Sequence, residues 1–125
     1  MGEKIIVSAL PKTWILDLDG TIVKHNGYKD DGTDTFLDGA EEFLSGIAKE
    51  DMIVFLTSRT DREKELTEAF LDAHHIRYDA VIYNAPYGER ILINDKKPSG
   101  LRTAIAVNTQ RDVFLEEIFE VEGDL

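Results

Sequence analysis

The sequence predicts an α/β fold, a doubly wound sandwich in which helices cover a central, mainly parallel sheet. Three observations carry that prediction. Short apolar runs, TWILDL at 13–18 and MIVFL at 52–56, have the unbroken hydrophobicity of strands covered on both faces. Between such runs lie segments with apolar residues three and four positions apart, the spacing of amphipathic helices. The two kinds of segment alternate, which is the order of a parallel sheet with helical crossovers.

Taken in order, the first strand covers Thr13 to Leu18, and the polar, glycine-containing segment Lys24 to Asp38 after it is the longest loop. Gly39 to Lys49 places Ala40, Phe43, Leu44 and Ile47 on one helical face. Met52 to Leu56 is the second strand. A second helix begins near Thr60 or Asp61, whose side chains can cap exposed amides, and buries Leu66, Ala69, Phe70 and Ala73. Ala80 to Tyr83, Ile91 to Ile93 and Thr103 to Val107 complete a five-stranded sheet. A last helix, about Arg111 to Glu120, buries Phe114, Leu115 and Ile118, and the acidic tail VEGDL is expected to fray.

A chain of 125 residues fits one domain, 1–125, with a core but no second domain to enclose a substrate. No apolar run approaches the ~18 residues of a membrane span. MGEKIIVSALPK reads poorly as a signal peptide, because Glu3 stands beside Lys4 and Pro11 follows at once, so a cytoplasmic location is expected. The absence of cysteine excludes a disulfide framework and a thiol nucleophile, leaving oxygen or histidine for any metal. Net charge is −11 and Lys and Arg form no basic run, which argues against nucleic acid as a partner. A small-molecule phosphate ester is the expected partner, with no membrane association and with a homo-oligomer left open.

Ligands of parallel α/β sheets sit at the carboxyl ends of the strands, so the residues where each apolar run stops are the informative ones. The first run ends in DLDGT, the second in LTSR, and ILIND ends in Asn94 and Asp95. Alternation sends Asp17 and Asp19 the same way while Leu18 faces the core, and Gly20 permits the turn out of the strand. Two neighbouring carboxylates repel unless a cation lies between them, and oxygen-only ligation with room for water and phosphate describes Mg²⁺. Asp95 is the candidate third carboxylate.

DLDGT at 17–21, LTSR at 56–59 and ILIND at 91–95 resemble the haloacid dehalogenase superfamily of phosphohydrolases. The resemblance implies a Rossmann-like three-layer α/β/α domain, here without a cap, and a Mg²⁺-dependent phosphomonoesterase acting through an aspartyl-phosphate. Asp17 would be the nucleophile and Asp19 the acid and base. Thr57, Ser58 and Arg59 would hold the phosphoryl oxygens, and Asp17, Asp19 and Asp95 the metal. His25, Asn26 and Tyr28 would lie on a flap beside the leaving group. Family members carry a lysine shortly before the last acidic motif, but here the stretch reads YNAPYGERILIND, with Ala85 before Pro86. Arg90 is placed at the far end of its strand and set aside. Lys97, on the same side as Asp95 if the chain stays extended, is the substitute chosen, with Lys96 and Arg59 as the other candidates. A small sugar or polyol phosphate is the expected substrate by analogy with short capless members. The alternative is a catalytically impaired binding or regulatory domain.

Overall fold

A computed structural model describes residues 2–125. In chain order the elements are β1 (Lys4–Val7), β2 (Thr13–Leu16), α1 (Gly27–Asp30), α2 (Ala40–Ser45), β3 (Met52–Leu56), α3 (Lys64–Ala73), β4 (Ala80–Ile82) and β5 (Ile118–Val121). They form two open parallel sheets, β2-β3-β4 and β1-β5. The class is therefore α/β and Rossmann-like, and no cap domain interrupts it among the described residues.

Register explains why the strand ends share an edge. Leu16 pairs with Phe55, which pairs with Val81, so Asp17, Thr57 and the chain after Ile82 emerge at one side. The start of β3 is fixed by two acids. Asp51 accepts from the Lys12 amide at 3.0 Å and from Trp14 Nε1 at 2.9 Å, and Asp79 accepts from the Ile53 amide at 2.8 Å. Trp14 also meets Phe43 and Phe119 edge-on, with centroids 5.5 and 5.0 Å apart, so this residue joins the two sheets by packing.

Behind that edge lies the core. Ile53 and Phe55 of β3 pack with Leu71 of α3, Ala40 and Leu44 of α2, and Leu18, Ile22 and Val23 of the turn after β2. Phe55 is fully buried, and its truncation to alanine would cost about 3–5 kcal/mol, the usual range for a core aromatic. The chain enters α3 through a short 3₁₀ turn, Asp61–Glu63, closed by a capping box: Thr60 Oγ1 accepts from the Arg62 amide and Glu63 Oε1 from the Thr60 amide. The helix ends at His74, followed by His75 in the left-handed region at φ 57°. His74 pairs with Glu41 and stacks between Phe36 and Phe70, a packing role.

Four sequence expectations need correction. The five strands do not form one sheet, because Ile91–Ile93 and Thr103–Val107 lie outside any strand, while β1 takes a place the sequence left unassigned and β5 one it gave to a helix. The last helix is absent: Gln110 to Val113 is a turn, and Ile118 begins β5 instead. The loop 24–38 contains the one-turn α1. The start of the tail is held, since Val121 pairs with Val7 and the Glu122 amide donates to Val7. No helix among the described residues is long and apolar enough to cross a membrane.

Candidate active site

The turn that carries the two acids is closed on one carbonyl. Leu18 O accepts from the amides of Thr21, Ile22 and Val23, while the Gly20 amide donates to Val23. Gly20 stands at φ +81°, and a Cβ there would lie 3.1 Å from Arg111 Cγ, so the position wants glycine on both counts. A distant segment ties the turn from outside: the Asp112 amide donates to Gly20 O, and Asp112 Oδ1 accepts from the His25 amide at 2.7 Å. Asp17 then projects to the edge, where Oδ2 accepts from Thr21 Oγ1 at 3.0 Å and Oδ1 from Arg90 Nη1 at 3.1 Å.

Asp19 turns to a different partner. Both its oxygens accept from Arg59, at 3.0 Å from Nε and 2.9 Å from Nη2. Arg59 also donates to both oxygens of Asp34, at 3.0 and 2.8 Å, and to Thr67 Oγ1 at 2.8 Å. These five bonds use all five N–H groups of a guanidinium. Arg59 is only 5% exposed and lies 4.4 Å from the Tyr28 ring centroid. Burial works against its charge, but the two carboxylates outweigh it and drive its pKa up. Arg59 therefore locks the acidic turn, the loop 24–38 and α3 together, and keeps no donor for a phosphate. Burial likewise pushes the Tyr28 phenol up.

Over this edge opens a cavity of about 830 Å³. Asp17, Asp19, His25, Asn26, Tyr28, Thr57, Ser58 and Arg59 all line it, so eight of the residues singled out in the sequence come together. Asp95 and Lys97 do not line it, and neither does Lys96. The cation at Asp17 is Arg90, which the sequence reading discounted by placing it at the far end of a strand. Because Ile91–Ile93 lies outside the sheet, Arg90 stays at the edge where Asp17 emerges instead. Lys29, Arg62 and Arg111 join Arg59 and Arg90 in the cavity wall, five cations from four separate stretches of an acidic chain. Among the described residues Lys29, Arg62 and Arg111 make no ion pair.

A divalent cation needs oxygen donors grouped round one point. Among the described residues no three acids or histidines are so grouped, and the oxygens of Asp17 and Asp19 are taken up by arginines and Thr21. The donor set of one chain does not fit the Mg²⁺ site expected from the motifs.

No protein-family model and no curated protein matches this chain. Two solved structures resemble it: a chain of a Pnkp1/Rnl/Hen1 complex and a chain of the Pnkp1/Rnl/Hen1 RNA repair complex. Each is 27% identical with a TM-score of 0.51, over 66% of this chain. The match takes in 31% and 28% of those chains, so this chain spans less than a third of their length. An enzymatic role is in keeping with both the likeness and the acid-bearing cavity. The likeness overturns two expectations, that the substrate is a small phosphorylated metabolite and that nucleic acid is no partner. The second failed because a contiguous basic run was sought, whereas the cations of this edge converge only on folding.

Proposed function

We propose that this protein is a haloacid-dehalogenase-type phosphoryl-transfer enzyme that removes the terminal phosphate of an RNA strand during repair. The observation that carries the reading is the cavity edge itself, where Asp17 faces Arg90 beside Thr57 and Ser58, with Lys29, Arg62 and Arg111 around it. The likeness to chains of an RNA repair complex supplies the substrate class.

In this reading an oxygen of Asp17 attacks the terminal phosphorus, the bond to the ribose oxygen breaks, and the strand leaves as a hydroxyl after taking a proton. Water then attacks the aspartyl-phosphate, releasing inorganic phosphate and restoring the carboxylate. Thr21 and Arg90 orient Asp17, and Arg90 is placed to share its N–H groups with phosphoryl oxygens. Thr57 accepts from the Arg59 amide at 3.1 Å, a bond that fixes its hydroxyl at the strand end. Lys29, Arg62 and Arg111 suit the backbone phosphates that follow the strand end.

The deciding assay is phosphate release from short RNA strands bearing a 5′- or a 3′-phosphate, run beside a small aryl phosphate and with Asp17→Asn as control. RNA ends are expected to be the better substrates, with the variant down by roughly 10³-fold or more. No release from either RNA end, or equal loss-free activity in Asp17→Asn, would overturn the reading.

A further inference from the structure

Four tyrosines occur in the chain, and the fold uses three of them. Tyr78 donates to Asp72 at 3.1 Å, Tyr83 donates to Glu68 at 2.8 Å, and Tyr28 carries the Arg59 guanidinium on its ring. Tyr87 has no such use. It is 93% exposed, yet it stands in the wall of the cavity that holds Asp17. Among the described residues its ring meets neither an aromatic ring nor a cation.

The short loop that carries this ring is fastened at both ends. Behind it, the Asn84 amide donates to Arg59 O at 2.7 Å and the Ala85 amide to Thr57 O at 3.0 Å, so the loop starts against the end of β3. Ahead of it, Arg90 Nη1 donates to Asp17 Oδ1 at 3.1 Å. Between these ties, Pro86 fixes its own φ and restricts the residue before it, which leaves the loop little freedom to lose on binding. The ground beside the ring is open: a Cβ on Gly88 would meet nothing within 4 Å.

A single exposed aromatic is commonplace on a protein surface and carries no meaning by itself. What sets Tyr87 apart is its nearness to the reacting group. Arg90 stands three residues on, at most about 11 Å of chain, and in a nucleotide the base is carried one sugar away from its phosphate. A phosphate seated at Asp17 and Arg90 therefore leaves its own base room to reach the ring. Stacking suits an enzyme that acts on strand ends of any sequence, because every base has a π-face.

We infer that Tyr87 is the stacking platform for the end base of the strand, a specificity-determining residue that favours nucleotide ends over phosphate esters that lack a base. The inference rests on the phosphoryl-transfer reading and adds to it what the site grips beyond the phosphate. Lys29, Arg62 and Arg111 hold the phosphates behind the end nucleotide by charge, and the ring sets where the strand stops.

Binding tests the platform without turnover. The probes are short RNAs phosphorylated at the 5′ or the 3′ end and labelled with fluorescein at the other, with the phosphorylated nucleotide intact or abasic. They are titrated by anisotropy at one salt concentration against Asp17→Asn protein, with and without a change at Tyr87. Because Tyr87 is exposed, its substitution leaves the core untouched. Tyr87→Ala should weaken the intact strand about 5- to 100-fold, the loss of one base–aromatic contact, and leave the abasic strand unchanged. Tyr87→Phe keeps the ring and should bind as tightly as the parent. No loss in Tyr87→Ala, an equal loss on intact and abasic strands, or the same loss in Tyr87→Phe overturns the inference. Kinetics separate it from the broader reading: Tyr87→Ala in the otherwise wild-type chain should raise KM for RNA ends and leave any release from glycerol phosphate unchanged. Phosphate release from RNA with an unchanged KM overturns the platform alone. No release from RNA by the wild type, with the binding difference intact, overturns the phosphatase alone.

Discussion

Replacing Arg59 with leucine isolates what holds the acidic turn to the rest of the domain. The substitution removes five hydrogen bonds and leaves Asp34, whose side chain is 2% exposed, without a cation. Removing one partner of a buried ion pair costs about 3–5 kcal/mol, because the remaining charge stays desolvated. Most of that belongs to Asp34, since Asp19 is 20% exposed and water offsets part of its loss. A domain of this size has about 5–15 kcal/mol in total, so the loss takes up roughly a fifth of it or more. With a urea slope of about 2 kcal/mol per molar, the midpoint should fall by roughly 2 M. Arg59→Lys keeps a charge but only three rotatable donors, and should fall between. Adding Asp34→Asn to Arg59→Leu should recover about half the loss, because the orphaned charge is then gone. A midpoint change below about 0.5 M for Arg59→Leu, with no recovery in the double variant, would refute the claim that this arginine neutralises a buried acid.

Three further outcomes are expected. Arg90→Ala removes an exposed pair worth under about 1 kcal/mol, so urea unfolding should hardly move while phosphate release from RNA ends drops by roughly 10²-fold. Gly20→Ala forces a Cβ into φ +81° and toward Arg111, and should lower stability by about 1–2 kcal/mol in the same unfolding assay. For Asp51, burial pushes the carboxyl up, but the Trp14 and Lys12 hydrogen bonds with the Lys12 and Arg77 charges outweigh it and hold it below its ordinary 3.8. Its folded value lies below the unfolded one, so its stabilisation is present above about pH 4 and lost as pH falls through the folded value. Asp51→Asn should thus be less stable at pH 7 and show a shallower loss of stability below pH 4.

Some of this architecture was legible in the sequence for simple reasons. MIVFL is β3 residue for residue, since a short apolar run ended by Asp51 and Thr57 has few other ways to fold. The start of the helical segment was readable from Thr60, because capping of exposed amides is a purely local device, here completed by Glu63. The DLDGT turn was readable because Gly20 must adopt a positive φ. What failed was decided by tertiary contacts. ILIND has the pattern of a buried strand, yet it is exposed and pairs with no strand, and periodicity cannot say whether an apolar run finds a partner. Phe114, Leu115 and Ile118 fit a helical spacing, but Ile118 to Val121 pair instead with β1, a partner more than a hundred residues away in sequence. Arg90 was hidden for the same kind of reason: its contact with Asp17 spans 73 residues and leaves no local signal.

The loop 24–38 bears directly on what the site can admit. A lid that opens and closes needs an edge free of buried contacts, and this loop has none to spare. The Lys24 amide donates to Thr35 O, the Leu37 amide donates to Ile22 O, and Asp34 is buried against Arg59. Opening it would expose Asp34 and part the fork that holds Asp19, at a cost of several kcal/mol. The loop is thus a fixed wall, with His25, Asn26 and Tyr28 presented on its inner side. A fixed wall cannot close over a small ester and exclude water from it. It can seat a chain end whose remaining length runs outward past Lys29, Arg62 and Arg111, so the rigidity of the loop and a polynucleotide substrate belong to the same reading.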